Sequence, residues 1–246
     1  MRGTTPAGAR DEQEAARWVR GMFGRVAHRY DLANHVLSAN IDRLWRAHTV
    51  RCVREILARP DARVLDICCG TADLLLALEQ GARGSGAFCG GSDFCHPMLV
   101  EAKAKLAGRR SRALLFESDA LCLPIRDRSL DLITVAFGLR NLTNYDAGLA
   151  EMRRVLRPGG VAAILEFSQP PNRAFRALYE FYSRRVLPVI GGILTGNRDA
   201  YQYLPDSVRK FPKAPELADS MRRTGFPEVS FEYLTGGIAA LHIGKL

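Results

Sequence analysis

Ten residues, VLDICCGTAD at 64–73, constrain this chain more than any other stretch. Val64, Leu65 and Ile67 surround Asp66 in an apolar run, Cys68, Cys69 and Gly70 are small, and Thr71, Ala72 and Asp73 open an amphipathic segment. That order predicts a buried strand turning sharply into a helix. Such a turn leaves backbone N–H groups free, and in open α/β sheets the place beyond the carboxyl end of the first strand is the usual ligand site.

The pattern that follows repeats strand and helix. A helix over 72–80 and a Gly-rich loop lead to a second strand ending at Asp93, a helix over 97–107 to a third strand at 113–117, and a fourth strand is expected at 130–135. A helix over 145–156 is stopped by Arg157-Pro158-Gly159-Gly160, which is expected to turn the chain into a fifth strand at 161–167. Repeated βα units argue for a parallel sheet with helices on both faces. Upstream, helices are expected at 11–29 and 41–58, with 28–45 read as a loop from its Asn, Asp and Ser content. Downstream, a last helix at 215–224 precedes two β-rich runs joined at Gly236-Gly237, a terminal hairpin. One domain over 1–246 is therefore expected, comprising a helical cap (1–60), a ligand-binding core (61–169), a lid (170–213), and the last helix with its hairpin (214–246).

Charge divides unevenly along that plan. Residues 1–60 carry eleven Arg against six acids and 170–213 eight basic residues against three, so each is +5, whereas 61–169 balance at thirteen against thirteen. The excess is either a solvated surface or an attraction to something anionic, nucleic acid or the inner face of a membrane. No window approaches the ~18 uninterrupted apolar residues of a spanning helix, and the first ten residues lack the apolar core of a signal peptide, so a cytoplasmic chain is expected. Six cysteines without a CxxC pair or a His at ligand spacing signal neither a zinc site nor a disulfide framework, and no metal is expected.

A dinucleotide fingerprint would place GxGxxG at the first turn, where this chain has Cys68, Gly70 and Asp73. Asp66 followed by small residues at 68, 70 and 72 instead resembles the D-x-G-x-G-x-G turn of class I S-adenosylmethionine-dependent methyltransferases, with only the middle glycine retained. Asp93, Asp119-Ala120 and Leu156–Gly160 stand in the order of that superfamily's landmarks. Tyr30-Asp31 with Asn34, the CCGTAD turn, FGLRN at 137–141, RVLRPGG at 154–160, LEFSQP at 165–170 and GGIAALHIG at 236–244 narrow the resemblance to the UbiE/MenG group of quinone-biosynthesis C-methyltransferases. The match spans about residues 18–246. The double-cysteine turn looks more like the menaquinone branch than the ubiquinone branch.

The resemblance implies a Rossmann-like, mostly parallel seven-stranded sheet with an antiparallel C-terminal strand. It implies S-adenosyl-L-methionine as methyl donor, held by Asp66, Gly70, Thr71, Asp93, Asp119 and Ala120, and a polyprenylated demethylquinol as acceptor. Asp93, 23 residues beyond Gly70, stands near the ~20-residue offset at which such folds put an acid on a ribose diol; a helix cap is its other reading. Methylation at carbon needs phenolate character, so Arg140 would stabilise an oxyanion or hold a water, with Asn141 orienting the same oxygen. Tyr30 and Asp31 would close the cofactor site, Asp31 being a candidate proton acceptor. The plainer alternatives are an ion pair for Arg140, a cap for Asp31 and packing for Tyr30. His242 reads as structural, and the role of Glu166 is open. The basic excess would serve peripheral contact with an anionic membrane through 170–213, with Val186–Leu194 dipping into the apolar layer; a homo-oligomer is compatible with the sequence. An RNA methyltransferase is the rival suggested by charge, but AFGLRN stands where an Asn/Asp-Pro-Pro-aromatic motif would be, so no nucleic acid is expected. A non-catalytic cofactor-binding module is the second rival.

Overall fold

The computed structural model describes residues 3, 4, 6, 8–186, 189 and 198–246. Strand β1, Arg63–Ile67, buries every residue after the first, as its apolar run requires. It pairs in parallel with β2 (Phe88–Asp93) on one side and β4 (Leu130–Ala136) on the other. With β3 (Leu114–Glu117), β5 (Leu156–Phe167), β6 (Glu228–Leu234) and β7 (Ala239–Lys245), the sheet order is β3-β2-β1-β4-β5-β7-β6. Strand β7 runs antiparallel to both of its neighbours. The order reverses between β1 and β4, so a crevice opens at their carboxyl ends.

Helices α5 (Asp73–Gly81), α6 (His96–Gly108) and α7 (Tyr145–Val155) are the crossovers expected from the βα pattern. Gly91 in β2 shows how tightly they pack: a Cβ there would lie 2.7 Å from Leu75 Cδ2 and 3.1 Å from Cys69 Sγ. One expectation shifts. Arg157–Gly160 is not a turn ahead of β5 but a bulge within it, where pairing steps from Leu130–Leu156 to Leu132–Val161. Gly159, at φ +76°, donates to Leu246 O at 2.8 Å, and Leu246 N to Gly160 O at 3.0 Å, so the end of the chain completes the hydrogen bonding that keeps this segment in the sheet.

The cap corrects the sequence reading more substantially. Helix α1, Glu12–Val26, starts at Asp11, whose side chain accepts from Glu14 N, and buries Ala15, Val19, Met22 and Val26 at helical spacing. A 3₁₀ turn (Ala27–Arg29) then leads into helix α2, Tyr30–Leu37, where a loop was expected. The polar residues that suggested a loop are used between helices: His35 Nδ1 lies 2.9 Å from Asp42 and Ser38 Oγ donates to Asp42 at 2.6 Å. Only Ala39 and Asn40, both left-handed, break the path before α3, Ile41–Cys52. Buried Trp45 of α3 donates to Thr235 Oγ1 at 2.9 Å, tying the cap to the β6–β7 connection. Arg54–Leu57 forms the short α4.

The region expected as a lid contains α8 (Arg173–Phe181), a π-helical turn (Tyr182–Val186) and α9 (Arg198–Lys210). Most of the apolar stretch 186–194 lies outside the described residues. Helix α10, Ala214–Arg223, packs under β6 and β7. No helix among the described residues is long and apolar enough to cross a membrane.

Candidate active site

The turn after β1 holds three residues in the left-handed region: Cys68, Gly70 and Ala72, at φ +49°, +54° and +70°. Strain of this kind persists only where surrounding contacts fix it, and such positions cluster at ligand sites. The contacts are explicit. Cys69 N donates to Ser92 O at 2.9 Å, Ala72 N to Cys69 O at 2.8 Å, and Gly70 N to Asp93 Oδ2 at 2.8 Å. Asp93 Oδ1 also accepts from Cys95 N at 2.9 Å. Asp93 therefore braces the turn and holds the residue just ahead of α6 while also facing a cavity.

That cavity, of about 70 Å³, is lined among others by Gly70, Asp93, Asp119, Ala120, Gly138 and Asn141. Asp119 Oδ1 accepts from Leu121 N at 2.9 Å. Ser118 Oγ on the same wall is buried with no hydrogen-bond partner among the described residues, and an orphaned hydroxyl of this sort suits a polar ligand. Gly138 is required by space: a Cβ there would lie 2.4 Å from Cys68 Cβ. Burial raises the Asp93 carboxyl above its ordinary range despite its backbone donors. Burial also pushes the Cys68 and Cys69 thiols up, and Asp93 and Asp66 add to the effect.

A second cavity, of about 310 Å³, adjoins the first and is lined mainly by apolar and aromatic residues, including Trp45, Phe167, Tyr179 and Tyr203. Phe23, Tyr30 and Phe137 line both cavities and form the wall between them. Phe137 sits at φ +59°, and its ring lies 4.6 Å from that of Phe167. Arg140 faces the larger cavity and Asn141 the smaller.

The Arg140 guanidinium is buried, lying 5.2 Å over the Phe167 ring. Its Nη1 donates to Phe137 O and, at 3.0 Å, to Glu166 Oε1, while its backbone N–H donates to Glu166 Oε2 at 3.1 Å. The ion-pair reading and the pocket reading of Arg140 thus hold together. Burial alone would lower its affinity for a proton, but Glu166 and the tyrosines Tyr30 and Tyr203 leave it above the ordinary arginine value. Its Nε has no acceptor among the described residues. Asn141 Oδ1 accepts from Tyr203 OH at 3.1 Å, and that hydroxyl also lies 2.8 Å from Thr4 Oγ1. Burial raises the Tyr30 phenol, and Arg140 opposes the shift.

Three predicted residues stand apart from both cavities. Asp66 is sealed below the turn, accepting from Thr134 Oγ1 at 2.6 Å, and burial pushes its carboxyl up to about 7. Thr71 donates to Asp31 and accepts from Lys105 Nζ at 3.2 Å. Asp31 is further paired with Lys105, which also reaches Asp73 at 2.8 Å. The Thr71 and Asp31 side chains belong to an ionic cluster joining the cap to α5 and α6, in which Lys105 and the turn hydroxyl satisfy Asp31.

Sequence reasoning left Glu166 without a role and missed Arg46 and Tyr203. Arg46 lines the large cavity, lies 5.5 Å over the Phe137 ring, and is held by Asp42 and, at 3.8 Å, by Asp73. The only sequence signals were a polar residue ending a buried strand and a Tyr-rich stretch. Among the described residues, two groups of side chains bring metal-ligand atoms together, His48/Cys52/Glu232 and His35/Asp42/Asp73. Both are already engaged within the protein, the first through Arg51, which donates to His48 Nδ1 at 3.1 Å, and the second through Arg46.

A sequence model of the ubiE/COQ5 methyltransferase family matches residues 9–245. A demethylmenaquinone methyltransferase of Thermus thermophilus is 44% identical over 91% of this chain and 99% of its own length. A ubiquinone/menaquinone biosynthesis C-methyltransferase of Geobacter sulfurreducens is 41% identical over 92% and 88%. Among solved structures, an S-adenosylmethionine-dependent methyltransferase of Thermotoga maritima superposes with a TM-score of 0.65 over 92% of this chain and 99% of that one, at 18% identity. A phosphoethanolamine N-methyltransferase of Haemonchus contortus, solved with S-adenosylhomocysteine, gives 0.53 over 72% of this chain and 36% of that one, at 19% identity. At such identities the likeness is one of fold.

Proposed function

Because this chain belongs to the ubiE/COQ5 methyltransferase family, we propose that it methylates a ring carbon of a polyprenylated demethylquinol, demethylmenaquinol foremost, and that the wall of Phe23, Tyr30 and Phe137 is where methyl donor and ring meet. That the chain is an S-adenosylmethionine-dependent methyltransferase follows from its relatives and its fold. The single observation behind the finer reading is the pair of cavities: one edged by the carboxylates of Asp93 and Asp119, the other aromatic and holding a buried arginine, sharing one wall.

The residues of the small cavity fit the donor. Asp93 and Asp119 offer carboxylate oxygens to hydroxyl and amino groups, the partnerless Ser118 hydroxyl supplies a further contact, and Gly70 lets the backbone approach. Asp66 and Thr71 act from beneath, by fixing the turn. When bound, S-adenosylmethionine would supply an electrophilic methyl group to the ring carbon. Arg140 faces the acceptor's hydroxyl oxygen and favours its anionic form, since a guanidinium stays protonated and stabilises developing negative charge in a water-poor site. Glu166 orients it. Asn141 and Tyr203 form a hydrogen-bonded link beside that oxygen, and Arg46 reaches the cavity from the cap side. Tyr30 closes the wall, and Asp31 holds the helix that carries it.

Around the mouth, Tyr179 and Tyr182 face the cavity, while Leu178 and Phe181 of the same region are exposed. This supports peripheral contact of the 170–213 region with an anionic membrane, where a polyprenyl tail would lie.

The test is turnover of labelled S-adenosylmethionine with chemically reduced demethylmenaquinol, beside the demethyl precursor of ubiquinone. Methylated product is expected, and Arg140→Lys should lower kcat roughly a hundredfold while donor binding persists. Donor binding without product from either acceptor would overturn the reading.

A further inference from the structure

The balanced charge of residues 61–169 is unevenly placed in space: the arginines gather at one edge of the sheet, where the acids Asp61, Asp127 and Asp131 also lie. Asp66, Asp93, Glu117, Asp119 and Glu166 lie at the carboxyl ends of the strands or just beyond them. Arg63, Arg83, Arg109, Arg110, Arg112, Arg126, Arg128 and Arg157 lie at the amino ends, on the opposite edge of the sheet from the two cavities described above.

At the centre of that edge is a cavity of about 280 Å³ lined by Asp61, Arg63, Arg126, Arg128, Ser129 and Arg157. Its walls are fixed. The buried carboxylate of Asp131 accepts from Arg63 N at 2.9 Å and Arg59 Nη1 at 3.4 Å, and pairs with Arg157, which the β5 bulge presents. Arg154 holds the preceding loop by donating to Leu123 O at 3.0 Å and Ile125 O at 2.9 Å. It also pairs with Asp127, so the one acid between Arg126 and Arg128 is neutralised elsewhere. Arg128, at φ +52°, is stitched by its N–H to Arg154 O at 2.9 Å. Among the described residues, the side chains of Arg63, Arg126 and Arg128 have no hydrogen-bond or carboxylate partner. Three free guanidinium forks therefore face one exposed carboxylate, Asp61.

We propose that this amino-edge cavity is a binding site for a diphosphate group, separate from the methyl-transfer site. Guanidinium groups pair bidentately with phosphate oxygens, and a site built from arginines without a lysine favours that geometry over a point charge. Three free forks offer more donors than one carboxylate could accept, whereas a diphosphate has oxygens enough to engage them all.

Titration calorimetry of the full chain with inorganic diphosphate tests the site. Saturable binding of one diphosphate per chain is expected, weakened at least tenfold in the Arg126→Ala/Arg128→Ala double variant and weakened by a smaller factor in the Arg126→Lys/Arg128→Lys pair, which keeps the charge but loses the forks. Diphosphate should also raise the melting temperature of the parent and not of the alanine pair. Both positions are exposed, so methyl-transfer activity should persist in each variant and reports that it is folded. A methyl ester of diphosphate run alongside shows whether free or esterified diphosphate fits better. Binding unchanged by the alanine pair, no saturation in the parent, or a lysine pair indistinguishable from the parent would overturn the proposal, the last by showing mere charge accumulation.

Discussion

Asp66 and His242, two buried titratable groups of the sheet, carry opposite pH signatures. Burial lifts the Asp66 carboxyl to about 7 from an ordinary 3.8, so between those values the folded chain keeps a proton that the unfolded chain has lost. Stability from this group falls as pH rises through that window. His242 Nε2 donates to Ala214 O at 2.9 Å, and burial drops its pKa to about 4 from an ordinary 6.5. Here the unfolded chain takes the proton first, so stability is lost as pH falls from 6.5 towards 4. The two slopes oppose each other between about pH 4 and 6.5, with Asp93, also raised by burial, on the side of Asp66. Asp66→Asn should therefore make the urea midpoint climb more steeply with pH across this window than in the parent. Parallel profiles for parent and variant would contradict the buried, protonated state of Asp66.

At the scale of elements, the parts legible in the sequence were those set by local pattern. Strands β1 to β5, their crossover helices and the terminal hairpin follow from short apolar runs and small-residue turns, and the carboxyl-end residues Gly70, Asp93, Asp119 and Ala120 came with them because they sit where those runs stop. Helix α2 was illegible because its polar residues serve partners outside their own turn: His35 and Ser38 both go to Asp42. The Arg157–Gly160 bulge needed Leu246, at the far end of the chain, to declare itself. The same limit explains Arg46, Glu166 and Tyr203, whose roles arise only when α3, β5 and α9 meet over one cavity. Charge counted by segment missed the amino-edge cluster for a related reason, since Arg63, Arg126, Arg128 and Arg157 meet only when β1, β4 and β5 pair.

For the molecule as a whole, membrane contact should be readable in two separable parts. Leu178 and Phe181 are 65% and 62% exposed on one side of α8, and Arg173 and Arg185 are exposed nearby. Arg176, by contrast, donates to Pro170 O at 2.7 Å and belongs to the fold. In co-sedimentation with anionic vesicles, Leu178→Ser/Phe181→Ser should reduce binding at every salt concentration. Arg173→Gln/Arg185→Gln should reduce it mainly at low salt, by about 1 kcal/mol per charge. Unchanged binding in both pairs would remove this region from the membrane. Finally, the thiols of the β1 turn acquire a chemical meaning beside such an acceptor. The oxidised form of a quinol is a Michael acceptor, and only a thiolate attacks it readily. By keeping Cys68 and Cys69 protonated, burial protects the turn from being arylated by the compound it handles. Excess naphthoquinone followed by peptide mass spectrometry should label the exposed Cys122 first; early labelling of Cys68 would refute that protection.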